Sequence, residues 1–128
     1  MKLEKLSEGI ELTRSKHVSD ADTAVAYGSG NLMVFATPAM IALMEQTSLE
    51  LVKPYLTEKQ ETVGNHVDVK HVKATKQGQV VKCTAYLTEI KGPKLKFEVK
   101  AWDEHGQIGF GIHKRYIVDT GSFMNNLK

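Results

Sequence analysis

The chain has 128 residues, 41% hydrophobic and 25% charged: enough for one domain that buries its core without metal or disulfide staples, and too ordinary for a disordered or fibrous class. Seventeen basic against fifteen acidic residues leave a formal charge of +2, too little to argue for a nucleic-acid binder, although local basic patches for a phosphorylated small molecule are compatible with it. The single cysteine, Cys83, excludes an internal disulfide, and no Cys/His spacing matches a zinc site, so a reducing, cytoplasmic setting is expected.

The opening stretch "MKLEKLSEGIEL" mixes charges with isolated leucines and lacks a signal-peptide core, so the protein is expected to be soluble and not exported. From Leu3 to Val18 the pattern is weak. Ile10, Leu12 and Val18 alternate with Glu11, Thr13 and His17, which permits an edge strand. "DADTAVAYGSGNLM" reads as a loop, with Gly28, Ser29, Gly30 and Asn31 as breakers. The most apolar run, Leu32 to Met44, is too short to span a bilayer and contains Pro38.

Within that run, Thr37 reads as a helix N-cap and Pro38 as the first helical residue. The helix is expected to run to about Lys53, stopped by Pro54. Its first turns, "PAMIALM", are apolar nearly all round, the mark of a buried helix, often one wrapped by a sheet.

Four stretches of two-residue period follow. Val67, Val69 and His71 share one face against His66, Asp68 and Lys70. Val81, Cys83, Ala85 and Leu87 alternate with Lys82, Thr84, Tyr86 and Thr88. Leu95, Phe97, Val99 and Ala101 point inward against Lys96, Glu98 and Lys100. Between Ile108 and Val118, Phe110, Ile112 and Tyr116 oppose Gly109, Gly111, His113 and Arg115. Turns at "KQGQ", "IKGPK" and "DEHGQ" suit an antiparallel meander.

Strand, loop, buried helix and four antiparallel strands make an α+β arrangement. An apolar helix wrapped by a curved antiparallel sheet resembles the hotdog fold, in which two subunits usually pair their sheets edge to edge. The stretches "VFATPAMIALMEQTS", "VGNHVDVKHVKAT" and "IGFGIHKRYIV" are similar in content and spacing to the fluoroacetyl-CoA thioesterase family and its uncharacterised thioesterase-like relatives, from about Gly9 to Val118. The resemblance implies one hotdog domain over residues 1–128 that hydrolyses a short or medium acyl-CoA to a carboxylic acid and free CoA. It further implies no metal or cofactor, no nucleic-acid or membrane partner, and a homodimer, with a dimer of dimers left open. Thr37, Glu45 and His71 match the family's catalytic group, Gly64 a glycine beside the acyl group, and Arg115 an arginine on the last strand. Two departures stand out. The fluoroacetyl-selective member carries gating phenylalanines before the helix where this chain has "AVAYGSGNLM", so that substrate is not carried over, and Pro38 replaces a glycine.

The residues support a second, blander reading at each position. Glu45 shares its helix face with Pro38, Ile41, Ala42, Leu49 and Val52 and so is expected inward, where a lone carboxylate is costly unless a charge or donor meets it. Otherwise the helix rolls to wet it, or it is a hydrogen-bonded packing residue. Glu50 falls on the solvated side. The Thr37 hydroxyl is claimed by both capping and chemistry, at a helix N-terminus where free N–H groups suit a thioester oxyanion. His71 is either a satisfied core histidine or, beside a buried carboxylate, a proton carrier. His17, His66, His105 and His113 read as structural or surface. Gly64 is a turn glycine or a point of close approach to a thioester carbonyl. Arg115 is a sheet-face charge, an ion-pair partner, a pocket-closing group or a contact to the CoA phosphates. "GSGN" lacks the lysine and hydroxyl of a phosphate-cradling loop. Lys70, Lys73 and Lys76 form a solvated strand and turn, or guide a nucleotide moiety.

Hydrolysis through an acyl intermediate on Thr37 or Glu45 and direct attack of water activated by Glu45 both fit. A non-catalytic acyl-CoA or hydrophobic-ligand binding protein and a dehydratase acting on a hydroxyacyl thioester are the rival functions, since one fold hosts many reactions.

Overall fold

The computed structural model describes residues 5–128. The first four residues, which open both "MKLEKLSEGIEL" and the weak pattern from Leu3, lie outside the described residues. β1 (Glu11–His17) forms where the alternation predicts and lies at a sheet edge. The expected loop after it contains a turn of 3-10 helix and a short helix, α1 (Ala24–Tyr27). Its signals are local: the Ala26 N–H donates to Thr23 Oγ1, and Gly28 adopts the left-handed conformation at φ 70°.

α2 (Thr37–Val52) is the single long helix among the described residues, and Lys53–Tyr55 ends it as a 3-10 turn. The capping expectation needs correction. Ala36 is the N-cap and makes no side-chain cap bond, while Thr37 is already helical and Pro38 follows it. The chain is held extended up to Ala36 because the Phe35 N–H donates to the Thr75 carbonyl and the Ala36 N–H to the Asp22 carbonyl, at 2.8 and 2.9 Å. Backbone bonds to neighbouring segments therefore set where the helix starts.

β2 (Gln60–His71), β3 (Val80–Lys91), β4 (Lys94–Asp103) and β5 (Gly106–Asp119) complete an antiparallel sheet of order β1-β3-β4-β5-β2, and α3 (Thr120–Asn125) closes the chain. The meander covers only β3 to β5. β2 is six residues longer than expected and lies on the far edge beside β5, because "KQGQ" sits in a crossing connection and not in a tight hairpin. A bulge breaks β2: Gly64 opposes Arg115, His66 opposes Lys114, and Asn65 is left over.

α2 buries Ala39, Met40, Leu43, Met44, Leu51 and Val52 against the inward residues of β3 and β4. Thr47 and Ser48 occupy the same buried strip, their hydroxyls donating to the Leu43 and Met44 carbonyls at 2.7 and 2.9 Å. Glu45 therefore flanks the core instead of entering it, with its side chain 42% exposed, which corrects the inward expectation. Ile41, Ala42 and Leu49 lie half-buried on the same side. They border a trough that the helix leaves open: Val67 shares its sheet face with the buried His113 opposite, yet is 40% exposed. No helix among the described residues is long and apolar enough to cross a membrane.

Candidate active site

Thr37 and His71 meet at one end of this trough, where the start of α2 passes the end of β2. Thr37 Oγ1 and His71 Nδ1 are hydrogen-bonded at 2.8 Å. Freed from capping, the hydroxyl can donate to Nδ1, which leaves the ring proton on Nε2. That atom is buried and finds no hydrogen-bond partner. The Phe35 ring stands edge-on to the imidazole at 6.4 Å. Burial pushes the His71 pKa below the usual 6.5, only partly opposed by the nearby Lys73 backbone, so the ring is a neutral base at physiological pH.

A pocket of about 310 Å³ opens beside this pair, lined by Ala24, Ser29, Phe35, Ala36, Val72 and Ala74 among others. Lys73 lines it as well, so apolar walls and one cation stand together beside the hydroxyl–imidazole pair. The first helical hydrogen bond runs from the Met40 N–H to the Ala36 carbonyl. Of the preceding positions Pro38 has no N–H, so Thr37 and Ala39 carry the helix's free donors.

Glu45 lies two turns further along, about 12 Å down the helix axis from Thr37 at 1.5 Å per residue. There it meets Gly64 and Arg115. Arg115 Nη1 stands 3.9 Å from Glu45 Oε2, and a Cβ built on Gly64 would sit 3.0 Å from Glu45 Oε2, 3.1 Å from Arg115 Nη1 and 3.1 Å from His113 Cε1. Arg115 is 6% exposed, so it is no sheet-face charge. Its Nε donates to Thr62 Oγ1 at 2.8 Å, Nη2 to the Thr62 carbonyl at 2.9 Å, and Nη1 to His113 Nε2 at 3.3 Å. Burial pulls its pKa down while Glu45 and Glu61 push it back up.

His113, expected to be structural or surface, is buried and packed into this group. Its Nδ1–H donates to the His66 carbonyl at 2.8 Å, and it stacks on Phe97 at 6.1 Å. Burial lowers its pKa, the His66 carbonyl opposes this, and Arg115 lowers it further. The neutral ring thus presents Nε2 as the acceptor that holds the guanidinium. The signal lay in the alternation, which already put His113 and Arg115 on one face two residues apart.

The candidate residues are thus gathered into two groups, Thr37 with His71 and Glu45 with Gly64 and Arg115. Lys73 is engaged by Asp103 at 2.9 Å. Among the described residues no group of three or more His, Cys, Asp or Glu is arranged to hold a metal ion.

The sequence profile described as fluoroacetyl-CoA-specific thioesterase matches residues 18–121. A fluoroacetyl-CoA thioesterase from Streptantibioticus cattleyicolor is 36% identical over 90 residues, which are 70% of this chain and 65% of that relative. A solved structure of a fluoroacetyl-CoA thioesterase supplies a fold match at TM-score 0.90 and 29% identity, covering 95% of both chains. A hot-dog-like protein from Thermanaerovibrio acidaminovorans superimposes at TM-score 0.85 with 24% identity, over 92% of this chain and 87% of the other.

Proposed function

The chain belongs to the fluoroacetyl-CoA-specific thioesterase family, and from that kinship and the site's geometry we propose that it is an acyl-CoA thioesterase acting on short or medium acyl groups. The observation that carries the chemistry is the 2.8 Å contact between Thr37 Oγ1 and His71 Nδ1, made by a hydroxyl with no capping duty. Thr37 Oγ1 attacks the thioester carbonyl while His71 takes its proton. The C–S bond breaks, and the proton passes to the leaving thiolate. Water then attacks the acyl ester, with His71 again the base and Thr37 recovering its proton. The free N–H groups at the start of α2 face developing negative charge on the carbonyl oxygen.

Glu45 joins this chemistry through a homodimer. β2 is a long strand with one unpaired edge, and the adjoining helix strip of Ile41, Ala42 and Leu49 is only half-covered, the sort of edge that proteins normally pair or protect. An antiparallel pairing of β2 with its twin runs the strand ends past one another, bringing the His71 end of one subunit beside the Gly64 end of the next. Glu45, Gly64 and Arg115 of one subunit then face Thr37 and His71 of the other. A cytoplasmic setting belongs to the same proposal, where the free, buried Cys83 stays a thiol.

Thiol release from an acyl-CoA panel tests this. Purified protein turns over at least one acyl-CoA, Glu45→Ala and His71→Ala lose most of the rate, and mass spectrometry finds the free acid. Dehydrated product would point to a lyase. A panel without turnover above the uncatalysed rate overturns the proposal.

A further inference from the structure

Two pairs of lysines face one another directly across strands on the outer surface of the sheet. Lys91 of β3 stands opposite Lys94 of β4, and Lys96 of β4 opposite Lys114 of β5. Like charges at directly opposed positions weaken a sheet. Glu89, opposite Lys96 and 3.8 Å from Lys91, is the only acid among the residues lining the pocket they share. That pocket, of about 230 Å³, also takes in Asn65, the bulge residue left out of the ladder immediately after Gly64. Arg115 lines it too, while its buried guanidinium reaches Glu45 and Thr62 on the helix side of the sheet, so the basic pocket backs onto the Glu45 group.

A local rule broken twice in one concavity, where four lysines share the single carboxylate of Glu89, points to a ligand that completes the compensation. Lysine is a point-charge partner for phosphate. We infer that this pocket holds the phosphates of the coenzyme A nucleotide, an inference that rests on the acyl-CoA reading above. The role expected for Lys70, Lys73 and Lys76 thereby moves to Lys91, Lys94, Lys96 and Lys114.

The test compares wild type with Lys96→Gln/Lys114→Gln on an acyl-CoA and on the same acyl group carried by pantetheine, which has no nucleotide. KM for the acyl-CoA rises tenfold or more with kcat within twofold, KM for the acyl-pantetheine stays put, and the melting temperature holds or rises as one opposed pair is relieved. Calorimetry with adenosine 3′,5′-bisphosphate shows binding to wild type that the variant loses. Equal changes for both substrates, or none, overturn the inference. So does inorganic phosphate binding as tightly as the bisphosphate, or a defect confined to thioesters carried by an acidic carrier protein. A wild type inactive on both thioesters counts against the thioesterase reading, while bisphosphate binding still decides the pocket.

Discussion

Replacing Gly64 by alanine adds one methyl group at the point where the Glu45 group is tightest. The new Cβ lies 3.0 Å from Glu45 Oε2 and 3.1 Å from both Arg115 Nη1 and His113 Cε1, so a neighbour must yield by a few tenths of an ångström. Arg115 and His113 are buried and hydrogen-bonded, whereas Glu45 is half-exposed and held by one long ion pair. Glu45 moves. Gly64 needs no left-handed backbone, and alanine in a strand is favoured over glycine by roughly 0.5–1 kcal/mol. That gain offsets the cost of shifting one wet side chain, so the melting temperature changes by less than about 4 °C. Catalysis is less forgiving. A misplacement of 1 Å costs on the order of a hundredfold, so a shift of a few tenths costs about tenfold in kcat/KM, or about 1.4 kcal/mol. Thiol-release kinetics beside calorimetric melting make the comparison. Full activity at unchanged stability would show that the Glu45 position is irrelevant to the chemistry, and a variant that unfolds would show that the contact is structural; either refutes the reasoning.

Thr37→Val keeps the shape of the side chain and removes its hydroxyl. The bond to His71 is lost but no capping bond is, so stability falls by about 0.5–1.5 kcal/mol in denaturant titration, while thiol release falls on the order of a hundredfold; unchanged thiol release would refute the role of the hydroxyl. The acid limb of kcat/KM lies below pH 6.5, because burial lowers the His71 pKa and the free base persists to more acidic solution; a limb at or above 6.5 contradicts that assignment. Asp103 anchors the segment after His71 by accepting from Lys73 Nζ, Thr75 Oγ1 and the His105 N–H, which hold its carboxyl down at about 2. A depressed carboxylate stabilises above its unfolded pKa of 3.8 and loses that contribution as pH falls toward 2. Lys73 is 40% exposed, so screening trims the nominal value and Asp103→Asn costs roughly 1–2 kcal/mol at pH 7, a cost that shrinks as pH falls from about 4 and is gone only below about pH 2.

Much of the fold was legible because the inward rows of β3 and β4 alternate without interruption, and because Pro38 and Pro54 bracket α2. Strand order was not, since a two-residue period identifies a strand without naming its neighbour. The tight turns at "IKGPK" and "DEHGQ" do name it, and the looser connection around "KQGQ" does not. The buried face of α2 was misread for a different reason. Thr47 and Ser48 look polar in sequence, but their hydroxyls return to the helix's own carbonyls, so the core strip runs through them and turns Glu45 toward the trough. The face expected from Pro38, Ile41, Ala42, Glu45 and Leu49 and the strip that is buried lie more than about a third of a turn apart on the helix.

The candidate residues could be named from the sequence, but their arrangement could not. Thr37 and Glu45 are eight residues apart on one rigid helix, and the distance that follows from helical rise forbids both from touching one thioester carbonyl within a single subunit. No rotamer change closes about 12 Å. Within one chain the second half of the constellation can then only assist at a distance, and a 3.9 Å contact to Arg115 is no reason to keep a carboxylate there. The homodimer proposed above would remove the contradiction, because two-fold pairing of β2 exchanges the strand's ends and brings the half-sites together from different subunits. Activity and dimerisation should therefore fail together. Val67→Lys, a charge placed beside that edge and across the ladder from His113, gives a monomer by light scattering that has lost thioester hydrolysis but keeps its fold by circular dichroism. A folded, active monomer would show that one subunit holds the whole reaction.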